Sequence, residues 1–95
     1  MTLEVIWSNR AEDSFEEIVK QIEGKWTNKE VSNFLKRCNK TILSISNHPY
    51  IFQATQLPNV RKAVVSKQTS IIYEIRESQI VILLFWDNRQ EPVIG

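Results

Sequence analysis

The segment from Val60 to Pro92, VRKAVVSKQTSIIYEIRESQIVILLFWDNRQEP, leaves this chain few ways to fold. β-Branched and aromatic residues crowd Val60 to Val65, Thr69 to Arg76 and Gln79 to Trp86, and short polar turns at Ser66-Lys67-Gln68 and Glu77-Ser78 separate them. Connections this short join only antiparallel neighbours, so the segment predicts a three-stranded meander. The middle strand alternates, with Ile71, Tyr73 and Ile75 on one face and Ser70, Ile72, Glu74 and Arg76 on the other, as expected of a sheet with one covered and one wetter face. The last strand does not alternate. Ile80 to Trp86 are apolar on both faces, which places this strand inside the sheet, paired on both sides and buried.

Cover for the sheet has to come from the first half of the chain. Leu3, Val5 and Trp7 alternate with Glu4 and Ile6 as a short strand that joins the meander. Asn9 with Glu12 three residues on, and Asp13 beside it, predicts a helix start by side-chain capping. Ala11, Phe15, Ile18, Val19 and Ile22 then form one apolar stripe, and Gly24 can take the left-handed conformation that ends such a helix. Thr27 with Glu30 is a capping box for a second helix, striped by Val31, Phe34, Leu35, Cys38, Ile42 and Ile45. Pro49 ends it near Asn47. Two helices joined by so short a link form an αα-hairpin. The expected architecture is α+β in two layers, of order βααβββ, an antiparallel sheet covered on one face by the hairpin, in a single domain over residues 1–95. The long connection from Asn47 to Asn59 is tied to the core by Tyr50, Ile51, Phe52 and Leu57.

Charge is unevenly spread. The net charge is +1, yet residues 36–76 hold seven basic side chains and one acidic one, while residues 1–35 hold four and seven. The basic middle suits nucleic acid or an acidic protein segment. One cysteine, Cys38, cannot form an internal disulfide, and its place in the helical stripe makes it a small core side chain. No secretory pattern or membrane span is visible, and a cytoplasmic location is expected. One His, one Cys and no carboxylate cluster at ligand spacing argue for no metal site and no cofactor.

Several features in order resemble the RelE/ParE superfamily of bacterial type II toxin–antitoxin toxins. They are Val5-Ile6-Trp7 before the first helix, the helical hairpin, the helix end at Asn47-His48-Pro49, the basic strand entry Val60-Arg61-Lys62, the Ile71-Ile72-Tyr73 strand, and the closing run Phe85 to Pro92. The Arg89-Gln90 pair followed by Pro92 is similar to the plasmid-stabilisation, ParE-like branch. The resemblance implies a small cytoplasmic toxin held harmless by a wrapping antitoxin. It also implies one of two activities: ribosome-dependent cleavage of mRNA, or inhibition of DNA gyrase by binding.

The residues weigh these activities. Cutting RNA through its 2′-hydroxyl needs a base, an acid and cations around the charged phosphorane. Cleaving members carry basic side chains on the open sheet face and a Tyr or His near the C-terminus. Here Arg61 fits the first basic place, but Ala63 occupies the next and Ser70 stands where a cleaving toxin carries arginine. Arg89 matches a C-terminal basic residue, and no Tyr or His follows it in Gln90 to Gly95. Arg61 and Arg89 remain the candidate phosphate clamp, with His48 or Glu74 as a conceivable base. The preferred reading is the non-cleaving, ParE-like one, with mRNA cleavage or a non-toxic interaction protein as alternatives. Candidate partner contacts are Lys36 and Lys40 with neighbouring Arg37 on the second helix, together with Arg61, Trp86 and Arg89. His48 otherwise reads as a helix-end residue and Tyr73 as core. Open strand edges and an apolar groove between helices and sheet would let the antitoxin add a strand and lay down a helix, its acidic segment meeting the basic middle.

Overall fold

A computed structural model describes residues 2–89. Strand β1 (Glu4–Trp7) runs into helix α1 (Asn9–Glu23) and helix α2 (Asn28–Asn47), followed by β2 (Gln53–Ala54), β3 (Val60–Val64), β4 (Thr69–Ile75) and β5 (Gln79–Asp87). The sheet has five strands in the order β1-β5-β4-β3-β2. Its α+β two-layer design is the expected one, with both helices on one face and β5 paired on both sides, to β1 and to β4. Of the closing motif, Gln90, Glu91 and Pro92 lie outside the described residues.

The sheet is mixed rather than wholly antiparallel. The meander β3-β4-β5 is antiparallel, but β1 joins β5 in parallel, Val5 beside Ile80 and Trp7 beside Ile82. Helix α1 continues in the direction of β1, Ser8 meeting Leu83 and Ser14 the later Phe85, so α2 returns to the start of β1 at Leu3. Strand β3 then sets out in β1's direction, and two further antiparallel strands leave β5 parallel to β1. A short strand β2 also joins the far edge, pairing Gln53 with Lys62 and Ala54 with Arg61. Two residues are too few to show any periodicity, so the strand could not be read from the sequence.

Helix α1 begins one residue earlier than the Asx-cap reading places it. Ser8 is the N-cap: its hydroxyl accepts the Ala11 N–H at 3.0 Å and donates to the Leu83 carbonyl at 2.9 Å. Asn9 is already helical. The tertiary bond to Leu83 decides the cap, because it ties the helix start to the strand it covers. Gly24 has φ −79°, a right-handed conformation, so this helix stops without the left-handed residue expected there. The capping box of α2 forms as read, with Glu30 N–H reaching Thr27 Oγ1 at 3.2 Å and Glu30 Oε1 accepting the Thr27 N–H at 3.0 Å. Neither helix is long and apolar enough to cross a membrane.

The core lies between hairpin and sheet. Ala11, Ile22, Phe34, Cys38 and Ile45 from the helices meet Ala63, Ile71, Tyr73, Ile75, Ile80, Ile82 and Phe85 from the sheet. At one end Trp7, Phe15 and Phe85 form a triangle with ring centroids 5.0 to 5.4 Å apart. A bulge shifts the β4–β5 register from Ile72 beside Leu84 to Tyr73 beside Ile82, leaving Leu83 without a partner. Beyond that bulge β1 has ended. Helix α1 takes over the β5 edge, its Ser14 hydroxyl accepting the Phe85 N–H at 2.9 Å.

Candidate functional site: the open sheet face and its surroundings

The face of the sheet turned away from the helices presents Val60, Lys62 and Val64 of β3, Ser70, Ile72 and Glu74 of β4, and Val81, Leu84 and Trp86 of β5, by strand alternation and register. Instead of being wetter, it is apolar. Val60, Ile72 and Leu84 pack into a second cluster with Leu83 and Trp86 leaning on it. Ile6, Val64 and Trp86 keep it open to contact, with Val64 58% exposed.

Ser70, at the place where a cleaving relative has arginine, is fully buried and donates to Asn88 Oδ1 at 2.7 Å. Asn88 in turn donates to the Ser66 carbonyl at 3.3 Å, so this pair closes the β3–β4 turn onto the end of β5. Lys62 is the one cation that β3, β4 and β5 direct onto this face within the described residues, apart from Arg76 at its border, and Arg76 is bound to Glu74 at 2.9 Å.

Arg61 belongs to the other side. Paired with Tyr73 in register, it lies on the helix-facing side near the sheet edge. There its guanidinium donates to the Tyr50 carbonyl at 3.0 Å and the Phe52 carbonyl at 2.8 Å, and it stacks 5.3 Å from the Tyr50 ring. Tyr73 completes the anchor, its hydroxyl donating to the Pro49 carbonyl at 2.6 Å. Burial pushes this phenol up to about 12, with the Arg61 charge pulling weakly the other way. Together Arg61 and Tyr73 hold the 48–52 turn against the sheet.

Arg89 is committed too. Its guanidinium grips the Asp87 carboxylate at 2.7 Å and 2.9 Å, and its backbone N–H adds a further bond to the same group. The Arg89 hydrogen bonds hold the Asp87 carboxyl below the usual carboxylate range, and the Asp87 carboxylate raises the Arg89 guanidinium. Arg61 and Arg89 therefore do not converge as a phosphate clamp. His48 caps the end of α2 through its N–H to the Ser44 carbonyl. Glu74 is engaged by Arg76.

The partner-contact candidates separate in the same way. Trp86 stands half-buried on the open face. Lys36 and Lys40, with Arg37, rim a groove on the opposite side, between α2 and the β3–β4 turn. Its apolar lining is Trp26, Phe34, Phe52 and Val65, beside the polar Asn33, Thr41, Ser44 and Ser66. No local pattern marks them as one surface, since they come from four different elements.

Cys38 and Tyr73 predict an alkaline weakness. Burial pushes the Cys38 thiol from its ordinary 9.0 up to about 12, alongside Tyr73 from 10.0 to about 12. The unfolded chain releases these protons first, so it binds fewer protons than the folded one across that window and stability falls with rising pH. The contribution is complete below pH 9.0 and is lost towards pH 12. Urea midpoints should decline across this range, and Cys38→Ala should delay the onset from near pH 9.0 to near pH 10.0; a flat profile would contradict the burial of both groups.

Residues 5–92 match the family described as ParE toxin of type II toxin-antitoxin system, parDE. The chain belongs to the ParE toxin family. Among solved structures, that of the chromosomal ParDE system from P. aeruginosa superposes with TM-score 0.75 at 11% identity, covering 90% of this chain and 96% of that one. The toxin-antitoxin complex DinJ-YafQ from E. coli gives TM-score 0.62 at 10% identity, covering 94% and 96%. The YoeB dimer from Staphylococcus aureus gives 0.58 at 15%, covering 88% and 94%. At such identities the likeness is one of fold. No curated protein matches the chain by sequence.

Proposed function

We propose that this ParE-family chain is a toxin that acts by occupying a target macromolecule, of the DNA gyrase kind, and that a cognate antitoxin restrains it. The observation that carries the reading is the chemistry of the open sheet face. Transfer of the 2′-hydroxyl proton and stabilisation of a phosphorane call for titratable groups and several converging cations. Among the described residues that face offers one cation, Lys62, and one carboxylate, Glu74, which Arg76 at the border engages, beside buried Val60, Ile72 and Leu84 and half-buried Trp86, while Arg61 is held by loop carbonyls and Arg89 by Asp87. The accessible apolar side chains of the face are Ile6, Val64 and half-buried Trp86, and an aromatic anchor among them is suited to protein contact. The antitoxin part rests on family membership and on fold neighbours that are toxin–antitoxin complexes.

Induction of the chain in cells, followed by parallel readings of plasmid topology and of mRNA 5′ ends, tests the proposal. Growth arrest with altered supercoiling and unchanged mRNA ends is the expected result. Codon-specific cuts in mRNA on translating ribosomes would overturn it.

A further inference from the structure

The connection after α2 turns its apolar side chains outward. The apolar pattern predicts Tyr50, Ile51 and Leu57 against the core, yet Tyr50 is 62% and Ile51 69% exposed, the two most exposed large apolar side chains among the described residues. Leu57 is exposed as well. Of the four apolar residues in this connection only Phe52 packs inward, edge-on to the Tyr73 ring at 6.4 Å.

The backbone of the turn is held from the sheet. The Tyr73 hydroxyl donates to the Pro49 carbonyl and the Arg61 guanidinium donates to those of Tyr50 and Phe52, so two side chains that pair in register across β3 and β4 bind three carbonyls of residues 49–52. A bond from the Ile51 N–H to the His48 carbonyl at 3.3 Å closes it. Arg61 also stacks 5.3 Å from the Tyr50 ring and sets the direction of that ring. A loose loop would give up backbone freedom when it met a partner; here folding has already removed it, which lowers the cost of contact.

Charge around the turn is of one sign. From Val31 to Tyr73 the chain carries six lysines and arginines and no carboxylate side chain, and Lys62 stands beside Gln53 on the adjoining strand pair. Like charge disfavours a second copy of the chain as the occupant. Arg61, the cation stacked on Tyr50, is already bonded to two loop carbonyls, which leaves it poorly placed for the phosphates of a nucleic acid.

We infer that Tyr50 and Ile51 are a second point of contact with the target protein, where they enter an apolar pocket with carboxylates around its mouth. They extend the proposed mode of action, on which the identity of the partner rests, to a different part of the sheet: Trp86 stands on β5, whereas the turn leads into β2, the outermost strand on the far side. Tyrosine is among the residue types that carry binding energy when seated in a partner's pocket, and complementary charge around it adds selectivity and rate of encounter.

Equilibrium binding of the full chain to purified DNA gyrase tests this contact. Tyr50→Ala with Ile51→Ala should weaken binding about 30-fold, and wild-type affinity should fall as salt is raised. Tyr50→Phe with Ile51→Leu keeps the apolar bulk and should stay within about threefold. Gln53→Ala with Gln56→Ala, exposed and polar on the same connection, should stay within about twofold. Melting curves of all three variants should lie near that of wild type, because the substituted side chains are exposed. Equal affinity of the double alanine variant at Tyr50 and Ile51, an equal loss in the conservative pair, or an affinity indifferent to salt would each overturn the inference and leave the mode of action standing. So would a loss seen instead on anionic phospholipid vesicles, on a single-stranded oligonucleotide or in self-association. Wild type that does not bind gyrase would overturn the mode of action, and this contact with it.

Discussion

Phe85→Ala is expected to cost about 4 kcal/mol of stability, a large share of what keeps a chain of this size folded. Phe85 is 3% exposed and sits at one corner of the aromatic triangle, 5.1 Å from Trp7 and 5.0 Å from Phe15. Truncation removes its burial and opens a void that rigid neighbours cannot close, a loss of about 4 kcal/mol. Domains of this size have only about 5–15 kcal/mol to lose. The site is poorly able to relax, since Phe85 N–H is fixed to Ser14 and the next strand residues to β4. Thermal and urea denaturation measure the effect directly. A loss below about 1 kcal/mol would mean that the triangle is not the packing centre of this end of the core.

Trp86→Ala should separate activity from folding. The neighbouring side chain Phe85 points into the core, whereas Trp86 lies half-buried on the open face beside Leu83 and Leu84. An aromatic anchor of this kind costs about 2 kcal/mol or more of binding when truncated, about 30-fold in affinity. Loss of growth arrest is therefore expected, with a stability change well short of that of Phe85→Ala. Titration of the purified variant against gyrase, alongside a melting curve, distinguishes the outcomes. Full toxicity in a folded Trp86→Ala chain would move the target-binding surface away from this face.

Much of the local structure was legible because its causes are local. Thr27 and Glu30 announce the start of α2 three residues apart, Pro49 its end, and the unbroken apolar run of β5 its place in mid-sheet. The features that sequence does not reveal depend on distant partners. Asn9 was as good a cap as Ser8 until the Leu83 carbonyl, 75 positions away, chose between them. The strand Gln53–Ala54 exists only because β3 pairs with it, and β1 is parallel because α1 runs on along β5, with Ser14 bonded to Phe85. Arg61 read as a free cation, yet carbonyls of Tyr50 and Phe52 hold it, and a backbone acceptor leaves no mark in a sequence.

Sequence alone determined the meander, the helical hairpin, the apolar inner strand and the surplus of positive charge in residues 36–76, because periodicity and capping act over a few residues. Tertiary structure decided which charges remain available. Arg61 and Arg89 are consumed by bonds within the fold, while Arg37 and Lys40 come to stand over Phe34, Phe52 and Val65. Whether a cation is spent or offered depends on the acceptors that distant parts of the chain bring within about 3 Å of it, and only the folded arrangement of the elements supplies that distance.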